Sequence, residues 1–130
     1  MIISKTPLRI SFSGGGTDLR SYYKYNRYGA VLSTSINSYI YVSVKKQTSL
    51  FREKYRLNYS ETERVDDIND INNPIIRECL KFLTIDDQLY ISTIADVPAS
   101  TGLGSSSTFC VGLLNALYKL KGESVSAGRL

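Results

Sequence analysis

The residues best equipped for chemistry lie between Pro98 and Ser107, where Pro-Ala-Ser-Thr-Gly-Leu-Gly-Ser-Ser-Ser joins two glycines and a run of hydroxyls to the start of an apolar segment. Backbone N–H groups at a helix start are unpaired and carry the positive end of the helix dipole, and glycine lets the main chain approach an anion closely. Such a loop can cradle a phosphate. It can equally be a plain connection ending in a helix cap. It is not a Walker A loop, because no Gly-Lys-Ser/Thr follows, nor a Rossmann fingerprint, because Ser107 stands where Gly or Ala is required. A second glycine run, Gly14-Gly15-Gly16, is followed at once by Thr17 and Asp18.

What is missing narrows the chemistry further. There is no histidine in the 130 residues, which removes Ser-His-Asp and Cys-His nucleophile systems and His-ligated metals. Cys79 and Cys110 form no CxxC and read as small buried hydrophobes, a disulfide being possible but unneeded. Sixteen basic residues against twelve acidic ones give a net charge of +4, which suits a phosphorylated substrate or a nucleotide as well as it suits nucleic acid.

These residues need elements to hold them. Leu8, Ile10 and Phe12 alternate with Arg9, Ser11 and Ser13, the period of a half-buried strand that Gly14 stops. Thr17 is placed to cap a short helix reaching about Tyr28, with Asp18 in its first turn and Gly29 as its stop. Residues 30–36 and 39–44 read as a hairpin turning at Asn37-Ser38, although neither is the glycine a two-residue turn prefers. Tyr55, Leu57 and Tyr59 mark a further strand with Lys54 and Arg56 on its other face, and residues 61–73 read as a surface connection without periodicity. Asn73 then caps a helix opened by Pro74, with Ile75, Ile76, Cys79, Leu80 and Leu83 in one stripe. Residues 89–95 form the next strand, and residues 105–120, apolar almost all round, a helix buried in the centre of the domain.

With the strings in place, a resemblance emerges. Pro98-x-x-x-Gly102-Leu103-Gly104-Ser105-Ser106-Ser107 resembles the second motif of the GHMP kinases, the superfamily of galactokinase, homoserine kinase, mevalonate kinase and phosphomevalonate kinase. The run from Arg9 through Gly14, Gly15, Gly16, Thr17 and Asp18 to Leu19 resembles its first motif. The Gly-Gly-Gly-Thr-Asp form, with Gly29-Ala30-Val31-Leu32-Ser33 downstream, is similar to the branch that phosphorylates D-glycero-D-manno-heptose 7-phosphate, with fucokinase-like enzymes close by. The resemblance covers essentially the whole chain, though residues 45–87 carry nothing diagnostic.

The resemblance implies an α+β fold, a mixed sheet with helices on one side, like the ribosomal-S5-like N-terminal half of the GHMP fold. It implies ATP and Mg2+ as cofactors and a phosphorylated sugar as substrate. Pro98, Gly102, Leu103, Gly104, Ser105, Ser106 and Ser107 would wrap the ATP phosphates, with Ser106 also on magnesium. Gly14, Gly15, Gly16, Thr17 and Asp18 would meet the sugar, Asp18 by accepting its hydroxyl protons, or Asp18 is only a helix-start anion and the glycines only a turn. Arg9 would neutralise charge on the transferred phosphoryl group, or close a surface salt bridge. Family members are much longer, and the resemblance sets their main catalytic base and third glycine-rich motif beyond Leu130, so the chain is expected to be one domain, truncated at its C-terminal end and inactive alone. A nucleic-acid-binding module is the rival from another class, set against it by the motif loop. With no apolar run of membrane-spanning length and no signal-peptide pattern, the expected setting is cytoplasmic, and the oligomeric state is open.

Overall fold

The computed structural model describes residues 1–98, 101–126, 128 and 130, so Ala99 and Ser100 of the Gly/Ser loop lie outside the described residues. Five strands, β1 (Ile2–Ser13), β2 (Leu32–Lys46), β3 (Tyr55–Asn58), β4 (Thr62–Val65) and β5 (Leu89–Ala95), form one sheet in the order β1-β2-β5-β3-β4. β1, β2 and β5 pair antiparallel, β3 joins β5 in parallel, and β4 lies antiparallel beside β3. Of the helices α1 (Arg20–Asn26), α2 (Pro74–Phe82) and α3 (Ser105–Leu120), α3 packs across β1 and β2 while α2 packs on α3. This is the mixed α+β arrangement that the strings imply.

Alternation builds the core. Val42 and Val44 of β2, Leu57 of β3, and Leu89 and Ile91 of β5 are fully buried, together with Leu80 of α2 and Leu113 and Leu117 of α3. Their strand neighbours point to the other face, as a two-residue period requires. Asn73 caps α2 as the sequence suggests, its side-chain oxygen accepting the Ile75 and Ile76 amides at 3.1 Å each, with Pro74 in the first turn. α3 lies close against β1 at Gly112, where a Cβ would stand 2.7 Å from Thr6 Oγ1. The sheet and α2 do not cover it all round: Cys110, Val111 and Leu114 are half-buried and Asn115 is exposed. Among the described residues no helix is long and apolar enough to cross a membrane.

Three expectations are corrected. Residues 30–46 do not fold as a hairpin; β2 is one continuous strand whose two halves both pair with β1. Asn37 and Ser38 sit where the register slips from Pro7–Tyr39 to Arg9–Ser35, so they belong to an irregularity of the ladder and not to a turn. β1 starts at Ile2, and a second register shift between Ser11 and Ser13 leaves Phe12 66% exposed instead of buried beneath Leu8 and Ile10. Within residues 61–73 the chain forms β4 and a 3-10 turn (Ile68–Asp70), with Glu63 of β4 buried and bonded to the Tyr59 hydroxyl and the amides of Asn72 and Asn73.

Candidate active site

The Gly/Ser loop delivers its amides by backbone geometry. Gly102 (φ 74°) and Gly104 (φ 76°) both lie in the left-handed region, and Gly104 is the N-cap of α3 without a side-chain bond. The first amide of the helix to find an acceptor is that of Thr108, on the Gly104 carbonyl at 2.9 Å. Those of Ser105, Ser106 and Ser107 have none among the described residues. The Ser107 hydroxyl turns back to the Gly104 carbonyl at 2.9 Å, so this serine has only its amide to offer. Ser105 and Ser106 line a cleft. Pro98 is exposed, just beyond Val97 of the cleft wall.

Arg9 is brought to this loop by β1. Its amide donates to the Leu103 carbonyl at 3.2 Å, and its side chain lies so close to Gly104 that a Cβ there would meet Arg9 Cγ at 3.2 Å and Nε at 3.3 Å. Glycine at 104 is favoured by its φ, and a Cβ there would also make the Arg9 side chain give by a few tenths of an ångström. Arg9 makes no ion pair among the described residues; its guanidinium donates to Ser11 Oγ.

The second glycine run is organised by Thr17, and not as a helix cap. Thr17 Oγ1 donates toward the carbonyls of Gly14 (2.7 Å) and Ala30 (3.0 Å) and accepts from the Ala30 amide at 3.0 Å. With that hydroxyl engaged, α1 starts after Leu19, whose side chain makes no cap. Asp18 precedes α1 and is not in its first turn; it accepts the Gly16 amide at 3.0 Å. Gly29 is not the helix stop, which falls at Arg27. It permits a close crossing: a Cβ on Gly29 would stand 1.8 Å from the Thr17 carbonyl oxygen, and one on Gly14 1.9 Å from that of Ala30. Gly16 (φ 91°) is needed for its conformation, while Gly15 has open space around it. No hydrogen bond among the described residues joins this loop to the start of α3. They share β1, with Arg9 and Gly14 roughly 16 Å apart along the strand.

The cleft that begins at Ser105 and Ser106 holds about 460 Å³ and is walled by Ile40, Tyr59, Ile75, Val97 and Phe109, with Asn73 at its edge. Leu130, the residue past which the resemblance sets the catalytic base, is not part of this wall: its side chain is half-buried against the hydrophobic core. Buried Glu63 sets one wall, accepting the Tyr59 hydroxyl at 2.5 Å and the amides of Asn72 (2.7 Å) and Asn73 (3.2 Å). Burial, and then the bond to Glu63, push the Tyr59 phenol well above its ordinary value, so it stays a donor. Sequence reasoning missed Tyr59, Asn73 and Glu63 as a unit, because their meeting depends on pairing between segments and leaves no periodic trace. For a divalent cation the chain offers the Ser106 hydroxyl, and among the described residues there is no group of three His, Cys, Asp or Glu side chains that could hold one. That donor set fits an ion carried mainly by phosphate oxygens and water, the usual habit of Mg2+.

Residues 73–130, which contain this helix start, match the GHMP kinases N terminal domain. The chain is 33% identical over 128 residues to the D-glycero-alpha-D-manno-heptose 7-phosphate kinase of Campylobacter jejuni. It is similar to the GHMP kinases. The alignment to the Campylobacter protein takes in 88% of this chain and 36% of that protein, so the chain spans about a third of the curated relative. The fold is likewise that of the N-terminal half of solved GHMP kinases. A D-glycero-D-manno-heptose 1-phosphate kinase from Bacteriodes thetaiotaomicron superposes with a TM-score of 0.77 at 24% identity, over 94% of this chain and 42% of that one. The mevalonate kinase of Methanococcus jannaschii superposes with a TM-score of 0.71 at 18% identity, over 98% and 43%. In this chain Gly14, Gly15 and Gly16 directly follow β1, and Gly102 and Gly104 directly precede α3.

Proposed function

We propose that the chain provides the phosphate-gripping part of an ATP-dependent sugar kinase, acting on the anomeric hydroxyl of D-glycero-D-manno-heptose 7-phosphate. The observation that carries this reading is the junction of Arg9 with the start of α3. At the start of α3, where Ser105 and Ser106 line the cleft, three amides have no acceptor among the described residues, and the Arg9 side chain, which makes no ion pair among them, lies beside Gly104. The likeness to the Campylobacter heptose 7-phosphate kinase supports the choice of acceptor.

In this reading the apolar walls at Ile40, Ile75, Val97 and Phe109 receive the nucleotide base. The amides of Ser105, Ser106 and Ser107 donate to phosphate oxygens, strengthened by the sixteen-residue helix behind them. Arg9 holds positive charge beside them, where charge on the transferred group is stabilised without reorganisation. Asp18 has one oxygen on the Gly16 amide, which fixes its carboxylate and leaves the other oxygen to accept a sugar hydroxyl. Mg2+, when bound, would supply charge neutralisation on the phosphates, with Ser106 as its ligand from this chain.

Titration of the chain with Mg-ATP tests the reading. Saturable binding is expected, weakened roughly tenfold, about 1.4 kcal/mol, in each of Ser106→Ala and Arg9→Gln. Binding of heptose 7-phosphate in preference to galactose is expected to be lost in Asp18→Asn. ATP binding that is absent, or indifferent to both of the first two substitutions, overturns the proposal.

A further inference from the structure

Two thiols that the phosphate and sugar loops do not use meet where α2 packs on α3. Cys79 and Cys110 have sulfurs 3.9 Å apart, and both are free. They line a groove of about 450 Å³ together with Ile75, Glu78, Phe82 and Leu114. The two are not equivalent. Cys79 is 5% exposed, and burial pushes its thiol up to about 12, so it stays protonated and unreactive on its own. Cys110 is half-buried, which makes it the sulfur that a small oxidant in the groove meets first.

The pair is also tied to the cleft. Each cysteine lies four residues after a residue of the cleft wall, Cys79 after Ile75 and Cys110 after Ser106, hence one helical turn farther along the same face. α2 and α3 therefore run side by side with their N-terminal ends at the cleft, and the sulfurs meet one turn behind it. Ile75 belongs to the walls of both the groove and the cleft. α2 rests on α3 and on the 3-10 turn, so on this side the contact between the two helices sets the width of the cleft.

We propose that Cys79 and Cys110 are a reversible oxidation site, at which a peroxide joins them in a disulfide that draws α2 onto α3 and narrows the cleft. Hydrogen peroxide transfers one oxygen to the Cys110 sulfur, leaving a sulfenic acid and one water. The Cys79 sulfur then attacks the Cys110 sulfur: the S–S bond forms as the S–O bond breaks, and the departing hydroxyl leaves with the Cys79 proton as a second water. Each sulfur gives up one electron, and the peroxide takes both. The bond closes the 3.9 Å between the sulfurs to about 2.0 Å, and α2 carries Ile75 toward Phe109 across the cleft. A thiol reductant reverses the step and lets the helices part. That the narrowed cleft releases nucleotide rests on the reading of this cleft as the ATP site.

The test treats the purified chain with hydrogen peroxide, reads its thiols by maleimide labelling and mass spectrometry, and then titrates it with Mg-ATP. The parent is expected to lose both labels, to remain a single chain on a non-reducing gel, and to bind Mg-ATP about fivefold more weakly, with full recovery after dithiothreitol. Cys110→Ser is expected to bind Mg-ATP within about twofold of the reduced parent, with or without peroxide. Cys79→Ala, which lacks the second thiol, is expected to hold Cys110 as a sulfenic acid that dimedone captures. Two thiols still labelled after peroxide, or a bond between two chains instead of within one, overturns the site. A disulfide that leaves ATP affinity unchanged overturns its control of the cleft while the kinase reading stands. A reduced parent that binds no ATP overturns the kinase reading and the control with it, and the thiol labels still decide whether the bond forms.

Discussion

Among the glycines between residues 14 and 29, what each position must avoid differs. At Gly29 an added methyl would meet the Thr17 carbonyl oxygen at 1.8 Å, and a backbone atom cannot swing aside as a side-chain tip can. At Gly15 nothing lies within 4 Å and φ is ordinary. Gly29→Ala is therefore expected to break the Thr17–Ala30 clasp and open residues 14–30 locally, while Gly15→Ala leaves them closed. Because α1 buries nothing, the rest of the fold should be indifferent, with the thermal midpoint moved by less than about 3 °C. Limited trypsin digestion checks this: cleavage at Arg20, Lys24 and Arg27 should quicken roughly tenfold in Gly29→Ala and stay at the parent rate in Gly15→Ala. Equal rates in both variants would show that the clasp does not hold the loop.

Between elements, Glu63 is the fastener. From β4 it reaches Tyr59 just past the end of β3 and the two amides that lead into α2, so one carboxylate joins three elements around the cleft. Hydrogen bonds to a buried charged group contribute more than neutral ones, and leaving their donors poorly paired costs the desolvation of each. Glu63→Gln preserves the shape but exchanges one acceptor oxygen for an N–H2 that faces other donors. We expect a loss of about 2 kcal/mol in urea denaturation and weaker nucleotide binding, because Tyr59 and Asn73 belong to the cleft wall. Unchanged nucleotide affinity in a destabilised variant would detach Glu63 from the site.

For the molecule as a whole, the packing of α2 on α3 leaves a mark on its response to alkali. Cys79 and Cys110 face each other across that contact with sulfurs 3.9 Å apart, both as free thiols. Burial first, then the neighbouring Cys110, push the Cys79 thiol up to about 12 from an ordinary 9, and Tyr59 is raised in the same sense by its own burial. Both groups are raised and neutral when protonated, so above pH 9 the unfolded chain releases protons that the folded chain keeps. Stability should hold up to about that pH and fall as pH rises toward 12. Urea midpoints at pH 8 and at about pH 10.5 check the slope, which the double variant Cys79→Ala, Tyr59→Phe should flatten. A slope identical in the double variant would place the alkaline loss elsewhere.

What the sequence determined by itself is what near neighbours along the chain settle. The bounds of β5 and α3, and the Asn73-Pro74 start of α2, were legible because periodicity and capping are local. The two motif strings were legible because their glycines and hydroxyls are consecutive. Only the tertiary structure decided the rest. Residues 32–46 carry the same composition whether they fold back or run straight, and it was the long edge of β1 that made them one strand, absorbing Asn37 and Ser38 into a slip of register. Thr17 has the side chain of a helix cap, yet Ala30, thirteen residues away, claimed it first. Arg9 meets Gly104, and Glu63 meets Tyr59 and Asn73, only after the strands have paired. Arg9 and Gly104 are far apart in the chain and Glu63 is only four residues from Tyr59 and ten from Asn73, yet both meetings are fixed by sheet register and by which groups burial leaves in need of partners.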